Sequence, residues 1–493
     1  MAAWLDEAGS GNAVKSNRRV RPIPLKTQVG QVAALVPLRA LAGMRWLSWL
    51  MLGSSVIASF GPGWLPTFPI WLLVLTTWFF IVPPGRMVLA AGLARVALRG
   101  VTPGAHPRGG KVHLRIWLAE RIQHELLATG LSGAVWFPHY ARLLGADIGK
   151  GTDLHTLPPI TGMLSVGQDA SVENEVDLQG HWLDGDVLHV GEIRIGNRAT
   201  IGARSTLGPG VVVGNAAEIT PGSHVVGTVP ADEIWSGSPA EHTGTARGPW
   251  SDEPAPSPRG PLVGYAVLSV LIAALPAIAG LTGLGVLWPA IGDSSSLGDA
   301  ASTALPWLPV AALVGFAVLC LLVLGLTRLL ALAIQPGHHP VRSMTGLAIW
   351  GTVRLLDEAR DWLFPIYSSA FTPMWLRLLG AKVGRGVEAS TVLLIPKLVQ
   401  VNDHAFLADD TLIGSYELGE GWIRVERVKV GKRAFVGNSG MLRSRPQGAE
   451  GVVGRRTLRG APAHRGQVGS VLAGVTAPGA AAGRCGAGQH PHL

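Results

Sequence analysis

The stretch IRIGNRATIGARSTLGPGVVVGNAAEITPGSHVVG, residues 193–227, decides the fold of this chain. An aliphatic residue recurs in it every six positions, and a glycine follows each of the first four. Neither an α-helix nor a β-hairpin has a period of six, whereas a parallel β-helix puts one inward side chain on each short strand and turns at the small residue that follows. The stretch therefore predicts a parallel β-helix whose inward positions are Ile195, Ile201, Leu207, Val213, Ile219 and Val225.

This hexapeptide period belongs to an internal repeat. RLLGADIG at 142–149 recurs as RLLGAKVG at 377–384, and GNRATIG at 196–202 recurs as GKRAFVG at 431–437, so both pairs have the same offset along the chain. Farther upstream, LARVALRGVTPGAHP, which ends at Pro107, matches LTRLLALAIQPGHHP, which ends at Pro340. Self-similarity on this scale predicts two copies of one structural unit, with the first coil interrupted at 179–192.

Four uncharged apolar runs predict membrane spans. Trp46–Gly85 contains no charged residue, and GPGWLP at 61–66 divides it into two blocks. Pro261–Ile291 and Ala301–Thr327 are also uncharged, and each exceeds the ~20 residues that a bilayer requires. The first block is short, so it must recruit residues 41–45 or be a re-entrant piece. We expect about four spans in two transmembrane α-helical hairpins; the alternative is buried helices of a large soluble core.

Charge is distributed unevenly along the chain. The formal net charge is +9, but seven arginines and one acid fall within residues 443–493, which leaves +3 for residues 1–442. Basic residues precede the first apolar run and follow the second and fourth, so the positive-inside bias predicts that both hairpins open to the cytoplasm. We therefore expect a multi-pass protein of the inner (plasma) membrane with cytoplasmic soluble domains. Because the charge excess lies in the tail, nucleic acid is not an expected partner.

These patterns divide the chain into nine segments. Each unit consists of a hairpin, an amphipathic segment and a β-helix domain, and KVHLRIWLAERIQHELL at 111–127 predicts an interfacial helix or a helix that docks domains. The expected segments are a basic N-terminal segment (1–40), hairpin 1 (41–100), an amphipathic segment (101–147), β-helix domain 1 (148–243), a linker (244–260), hairpin 2 (261–334), a second amphipathic segment (335–382), a truncated β-helix domain 2 (383–442) and a disordered Arg/Gly/Ala-rich tail (443–493).

The first hexapeptide domain resembles the left-handed β-helix acyltransferases of the hexapeptide-repeat type. IWSGSPAE at 234–241 is similar to their closing segment, and the left hand is implied by this resemblance alone. The alternation of hairpins with such domains over about 35–442 resembles the carboxy-terminal membrane region of ε-poly-L-lysine synthetase and related non-ribosomal peptide synthetases. The resemblance implies an acyltransferase that works with the bilayer and with upstream adenylation and carrier domains or proteins. Because related β-helix enzymes are trimers, a trimer or a pseudo-trimer of tandem copies is also implied.

Acyl transfer from a thioester requires a base that takes a proton from an amine or hydroxyl, and histidine titrates in the right range. His181 lies in the interruption of the coil, where hexapeptide sugar acetyltransferases carry their catalytic histidine, and His189 lies closer to the returning strand. Asp184 is the candidate that orients the imidazole, and the alternative is a loop histidine that binds only Asp184 or solvent. In the second copy Tyr416 and Arg424 occupy the two histidine positions, so this copy is expected to be a scaffold.

The resemblance implies a thioester donor, either a phosphopantetheinyl carrier or coenzyme A, held between neighbouring coils as a substrate. By family position the donor-binding candidates are Gly208, Pro209, Ser238 and Pro239, and a corner role in the coil is the alternative for Gly208 and Pro209. The two cysteines have neither metal-ligand nor disulfide spacing, so no metal site is expected.

Three functions remain open from the sequence. The first is the membrane-anchored terminal region of a peptide synthetase that forms amide bonds from carrier- or coenzyme A-bound thioesters. The second is a stand-alone coenzyme A-dependent O- or N-acetyltransferase of the hexapeptide group, and the third is a non-catalytic membrane scaffold. The synthetases are expected to have three soluble domains, and here the period stops after Leu442 in a tail with no Ile, Phe, Trp or Tyr. A frameshift near Met441 is our hypothesis for the tail, and an authentic basic tail is the alternative.

Overall fold

Short parallel strands form the first hexapeptide region. In the computed structural model, which describes residues 20–60, 64–126, 134, 136–248, 250–251, 253–256, 258, 260–443 and 452–453, these strands lie in three sheets that the chain visits in turn. Thr200–Ile201 pairs in register with Glu218–Ile219, and Thr206–Leu207 pairs with His224–Val225. Each strand thus stacks on the strand three hexapeptides later, as a period of six on three sides requires. We call residues 147–245 the first coil.

The strands of the first coil are distributed as follows. The first sheet contains Asp147–Ile148, Leu164–Val166, Ile193–Ile195, Val212–Val213 and Thr228–Val229. The second contains Asp153–Leu154, Ser171–Val172, Thr200–Ile201, Glu218–Ile219 and Glu233–Ser236, with Glu241–Thr245 antiparallel at its edge. The third contains Asp177–Leu178, Thr206–Leu207 and His224–Val225.

The predicted inward positions form the core of this coil. All six aliphatic residues named from the period are 3% exposed or less. At the corner after Ile201, a Cβ added to Gly202 would lie 2.5 Å from the backbone nitrogen of Pro221, so only glycine allows this close stacking. The period is therefore a packing requirement, since one aliphatic side chain fills the axis on each strand.

A β-hairpin projects from the first coil where the hexapeptide period is interrupted. His181–Asp184 and Val187–Val190 are its antiparallel strands, and Gly104–Pro107 adds a third strand against Val187–Val190. In the second unit Tyr416–Gly419, Trp422–Val425 and Gly337–Pro340 form the same three-stranded sheet, at the sequence offsets of the repeat. The internal repeat is therefore a repeat of structure, including the strand contributed from before each amphipathic helix.

The second coil has the same parallel arrangement. In the described residues 382–443 and 452–453 its strands lie in three sheets. They are Lys382–Val383, Val399–Val401, Val428–Val430 and Val452–Val453 in one sheet; Glu388–Ala389, Phe406–Leu407 and Phe435–Val436 in the next; and Leu393–Leu394, Leu412–Gly414 and Met441–Arg443 in the third. The last strand of the first sheet pairs with Val428–Val430, so parallel pairing continues beyond the expected end at Leu442. The rest of the predicted tail lies outside the described residues.

Helices long and apolar enough to cross a membrane flank the coils. Among the described residues there are three: Leu25–Ala58, Val263–Ile291 within the helix Gly260–Ile291, and the composite Leu297–Ala333. The helix that contains the first apolar block begins at Leu25, inside the segment 1–40 that was expected to be only a basic N-terminal stretch. The helix thus extends far beyond residues 41–45, and the added part contains Lys26, Arg39 and Arg45.

The second predicted span is bent and is not a straight helix. Ile70–Ile81 and Pro83–Leu98 meet at 74°, and the described helices count as four spans only if this pair is one. Two consecutive prolines, Pro83 and Pro84, begin the second piece. Proline has no backbone N–H to donate to the preceding turn, and this explains the break. The remaining helices are Lys111–Glu125, Phe137–Leu144, Leu297–Ala304, Leu308–Ala333, Met344–Trp362, Phe364–Tyr367 and Thr372–Leu379, with a 3₁₀ turn at Leu305–Trp307.

A buried ion pair joins the two coils. Glu173, at the corner before the third sheet of the first coil, contacts the guanidinium of Arg443 from the last described strand of the third sheet of the second coil. The same carboxylate accepts hydrogen bonds from the backbone nitrogens of Ala203 and Leu418, at 2.8 and 3.0 Å.

Candidate functional site

The hairpin positions His181 on its inner face. Residues directly opposite one another in an antiparallel pair share a face, and neighbours along a strand alternate. His181 is paired with Val190, which is buried, whereas His189 is paired with Trp182 and Asp184 with Val187 on the other face. The structure therefore separates the three residues predicted from sequence: His181 shares a face with buried Val190, while His189 and Asp184 share the opposite face with Trp182. Asp184 is not placed to orient the His181 imidazole.

The carboxylate beside His181 comes from the amphipathic helix. Lys111–Glu125 carries His113 and Glu120 two helical turns apart, which places both on one face of the helix. The Oε1 atom of Glu120 lies 3.8 Å from Nδ1 of His181. His113 accepts a hydrogen bond at Nδ1 from the backbone nitrogen of Gly109, at 2.9 Å, so a neutral His113 carries its proton on Nε2. The helix also packs on Leu25–Ala58 and Pro83–Leu98, which is the docking role among the two alternatives for it.

The outer face of the third sheet contributes the remaining polar groups. Asp177, Thr206 and His224 are in register on its three strands, and because the residue after each points into the core, these three point outward. Gln179 donates a hydrogen bond of 2.7 Å to Asp177. The ring of Trp182, from the hairpin, lies 6.4 Å from the ring of His224. His113, Glu120, Asp177, His181 and His224 form what we call the His181 cluster.

Burial determines the protonation of this cluster. It lowers the pKa of His181, with a smaller contribution from His113 in the same direction and an opposing one from Asp177. Burial raises the pKa of Glu120 to about 7, although Arg121 opposes the rise. The pKa values of His113 and His224 are lowered by burial as well. At neutral pH His181 is therefore uncharged and able to accept a proton. The neighbouring Glu120 carboxyl group, with a pKa of about 7, titrates near neutral pH.

The predicted donor-binding residues lie on both sides of the strand His224–Val225. On one side, the backbone of His224 accepts a hydrogen bond from Ala240 and donates one to Gly237, at 2.8 and 2.9 Å, so the exposed Ser238–Pro239 pair is held beside the His181 cluster. On the other side, the backbone nitrogen of Gly208 bonds the carbonyl of Val225. The structure therefore brings this edge of the coil and His181 into one region.

Gly208 differs from the other corner glycines. A Cβ added to Gly208 would meet only the carbonyl oxygen of Val225, at 3.9 Å, which is an ordinary contact. Gly202 has no such room. Close stacking of the coil therefore explains why residue 202 is a glycine, but it does not explain the glycine at position 208. Pro209, the next residue, is buried against Gly191, which fits the corner role weighed for it.

The second copy lacks four of the five cluster residues. At the offset of its helix, Gly346 and Val353 stand in place of His113 and Glu120, and at the offset of its coil Leu412 replaces Asp177. Tyr416, in place of His181, is buried and donates a hydrogen bond of 3.3 Å to Asn174 of the first coil. Sequence reasoning missed His113, Glu120, Asp177 and His224, and the comparison of the two copies position by position is the signal that could have found the first three.

Two further histidine motifs have structural roles. His106 and His339 each contact the backbone carbonyl four residues before them, at 2.9 and 3.1 Å, as a turn requires. His338 stacks between Trp250 and Trp422. In the part of the chain that the structure describes, no group of three or more His, Cys, Asp or Glu side chains is arranged to hold a metal ion.

Fold and site together define a protein of hexapeptide-repeat coils and long apolar helices with one histidine–carboxylate cluster. No known family profile matches the chain. The delta-poly-L-ornithine synthetase of Acinetobacter baumannii is 25% identical to it over 431 residues, which are 83% of this chain and 32% of the relative. The chain thus spans about a third of the length of that relative. It is poly-amino-acid synthetase-like, and the resemblance stated from its sequence is confirmed.

Solved structures with local similarity are acyltransferases. A serine acetyltransferase from Brucella abortus is 20% identical over 35% of this chain and 76% of its own, with a TM-score of 0.20. AntD, an N-acyltransferase from Bacillus cereus solved with dTDP and 3-hydroxybutyryl-CoA, is 16% identical over 17% of this chain and 52% of its own, with a TM-score of 0.17.

Proposed function

We propose that the first coil transfers an acyl or aminoacyl group from a thioester donor to an amine, as the terminal transferase region of a poly-amino-acid synthetase. The observation that carries the proposal is the loss of the His181 cluster in the second copy. Both copies keep the coil, the hairpin and the added strand, so these polar groups are not required by the fold. Clustered ionisable groups with shifted pKa values that one copy has and its structural duplicate lacks are expected to serve chemistry.

His181 is the proposed general base. It accepts a proton from the acceptor amine as the amine nitrogen attacks the thioester carbonyl. The C–N bond forms, the C–S bond breaks, and the sulfur leaves as a thiol that takes up the proton. Glu120, whose carboxylate lies 3.8 Å from Nδ1 of His181, stabilises the imidazolium that forms transiently. The balance needs no oxidant, reductant or metal.

The donor is proposed to lie along the coil edge on both sides of His224–Val225. The room at Gly208 and the tethering of Ser238–Pro239 to His224 support this location. A pantetheine arm there ends near the His181 cluster, whether it comes from a carrier protein or from coenzyme A. Trp182, 36% exposed and beside His224, is an apolar wall for the arm.

The proposal extends to the setting of the site. Both coils are proposed to be left-handed β-helices, and the apolar helices to form about four spans that hold the coils at the cytoplasmic face of the plasma membrane, where tethering raises the effective concentration of donor and acceptor. The partners are adenylation and carrier domains or proteins, because loading an amino acid as a thioester requires both. The second coil, joined to the first through Glu173 and Arg443, is proposed as a scaffold that stands in for a subunit of a trimer.

Substitution of His181 tests the proposal. In full-length protein reconstituted in nanodiscs, His181→Ala is expected to lower kcat/KM for amide formation from a carrier-loaded amino acid about 100- to 10,000-fold. His139→Ala is the matched control, because it removes an exposed histidine from the helix Phe137–Leu144, outside the hairpin and the coil, and it is expected to change the rate less than twofold. Unchanged turnover in His181→Ala would leave the scaffold as the function. Turnover with acetyl-coenzyme A but not with the loaded carrier would point to the stand-alone acetyltransferase.

A further inference from the structure

A cavity of about 810 Å³ lies between the two sets of apolar helices. Leu25–Ala58 and Gly260–Ile291 form its long walls, and Pro83–Leu98 and Met344–Trp362 contribute residues at one end. The walls are mainly apolar and include Trp49, Leu50 and Ile272. Such a cavity between helices of this hydropathy is suited to hydrocarbon chains and not to a polar metabolite.

Unpaired polar atoms lie in this otherwise apolar cavity. Nη1 of Arg45, Nε of Arg86 and Oγ of Ser269 are buried, and none of the three has a hydrogen-bond partner in the described residues. Buried polar groups are nearly always hydrogen-bonded, because desolvation without a partner is costly. Three such atoms lining one cavity point to a ligand that carries hydrogen-bond acceptors.

The charge of the cavity specifies the sign of that ligand. Three arginines, Arg45, Arg86 and Arg354, and one acid, Glu358, line it, and among the described residues no carboxylate lies within 4 Å of the Arg45 or Arg86 guanidinium, although Glu125 acts on Arg45 from outside the cavity. Glu358 is held by Arg354 at 2.8 Å. Arg45 and Arg86 are electrostatic neighbours of one another and of Glu358, so they share one polar region. An anion is therefore favoured there, and a cation such as a polyamine product is disfavoured.

Arg45 and Arg86 lie together at one end of an uncharged apolar region. Arg45 and Arg86 are the charged residues that bound the uncharged run Trp46–Gly85 at its two ends. From Arg45 the chain runs into the apolar region, and it comes back out at Arg86. Both guanidinium groups therefore lie at the same end of that region. In the repeat, Leu319 occupies the position of Arg86, so the second hairpin does not duplicate the feature.

We propose that this cavity binds one anionic phospholipid. Its phosphate is held by Arg45 and Arg86, with the Ser269 hydroxyl as a further donor, and its acyl chains lie along the apolar walls. Guanidinium groups suit phosphate because they donate paired hydrogen bonds and stay charged. The inference rests on the membrane location proposed above and is independent of the transferase chemistry of the His181 cluster.

Lipid capture tests the inference. The full chain is purified in nanodiscs that contain equal amounts of phosphatidylglycerol and phosphatidylcholine, released into detergent, and examined by native mass spectrometry. We expect retention of one phosphatidylglycerol per chain, at least tenfold over phosphatidylcholine. Arg45→Gln/Arg86→Gln is expected to lose this preference at least tenfold. Arg99→Gln, which removes an exposed arginine just past the end of Pro83–Leu98, is the matched control and is expected to retain it.

A photoreactive phosphatidylglycerol with a diazirine on its acyl chain gives a second measurement that does not depend on a variant. Cross-links are expected on Leu50 or Ile272. Excess phosphatidylglycerol is expected to suppress these cross-links, whereas neither phosphatidylcholine nor inorganic phosphate is expected to suppress them. Equal capture of both lipids, equal loss in Arg99→Gln, or suppression by inorganic phosphate alone would overturn the inference. A chain that does not partition into membranes would instead overturn the membrane location.

Discussion

The contact between Glu173 and Arg443 is expected to hold the two coils together. The Glu173 side chain is only 3% exposed and the Arg443 side chain 11%. Besides the guanidinium, Glu173 accepts hydrogen bonds from the backbone of Ala203 in its own coil and of Leu418 in the second hairpin. One carboxylate thus satisfies three donors from three segments. An amide has a single acceptor oxygen, so Glu173→Gln leaves at least one of these donors unpaired.

The expected cost of Glu173→Gln is large. Removing one partner of a buried ion pair costs about 3–5 kcal/mol when the remaining charge is uncompensated, and Glu417, 3.6 Å from Arg443, places the expected cost at the lower end of that range. A typical domain is stable by only about 5–15 kcal/mol, so the variant should lose about a fifth or more of its free energy of unfolding. Glu173→Gln/Arg443→Met removes both charges and still offers an amide oxygen to one of the two backbone N–H groups, so it should lose less stability than Glu173→Gln alone.

Hydrogen exchange and denaturation on the full chain in nanodiscs measure this effect. In Glu173→Gln the amides of Ala203 and Leu418 should exchange faster, while the amide of Ile201 in the core of the first coil should change much less. Glu233→Gln is the matched control, because Glu233 accepts a hydrogen bond from Trp235 of its own strand and joins no second coil. A loss below about 1 kcal/mol in Glu173→Gln, or a double variant that loses as much as Glu173→Gln alone, would refute the reasoning.

Three further predictions concern the coil and the site. Leu207→Ala should cost about 2–5 kcal/mol in denaturant unfolding, because the side chain is fully buried, whereas Leu183→Ala on the hairpin should cost less than about 0.5 kcal/mol; equal losses would contradict the axial core. Gly202→Ala should destabilise the coil by about 1–3 kcal/mol, because an added Cβ has no room there. Gly208→Ala, where there is room, should leave the melting temperature unchanged but raise KM for the thioester donor. An unchanged KM would remove Gly208 from the donor site. Glu120 keeps its proton in the folded protein up to about pH 7 but loses it near pH 4.5 in the unfolded chain, so the free energy of unfolding should fall as the pH rises through this window. Glu120→Gln should abolish the fall, and because 44% of the side chain is exposed, the variant should be more stable than the wild type at pH 8 by only about 1 kcal/mol. Parallel stability curves for variant and wild type would be the contrary result.

The hexapeptide domains were predictable because their contacts are short in sequence. In the regular part each strand pairs with the strand three hexapeptides away, so the repeating pattern carries both the strand and its partner. The duplication was visible for the same reason, since matching offsets transfer the fold from one copy to the other. Long apolar runs also predict helices directly, although the bend at Pro83 altered the second of them.

The composition of the site could be decided only by tertiary structure. His181 is recognisable in the sequence, but which face of the hairpin it occupies depends on register, and its neighbour Glu120 comes from a helix that precedes the whole first coil. The contact of Glu173 with Arg443 spans 270 residues. No local period encodes such contacts, because they depend on how independently formed elements pack. The sequence therefore determined the repeating coil and the apolar helices, while packing between the elements decided which carboxylate faces the histidine and how the two coils are joined.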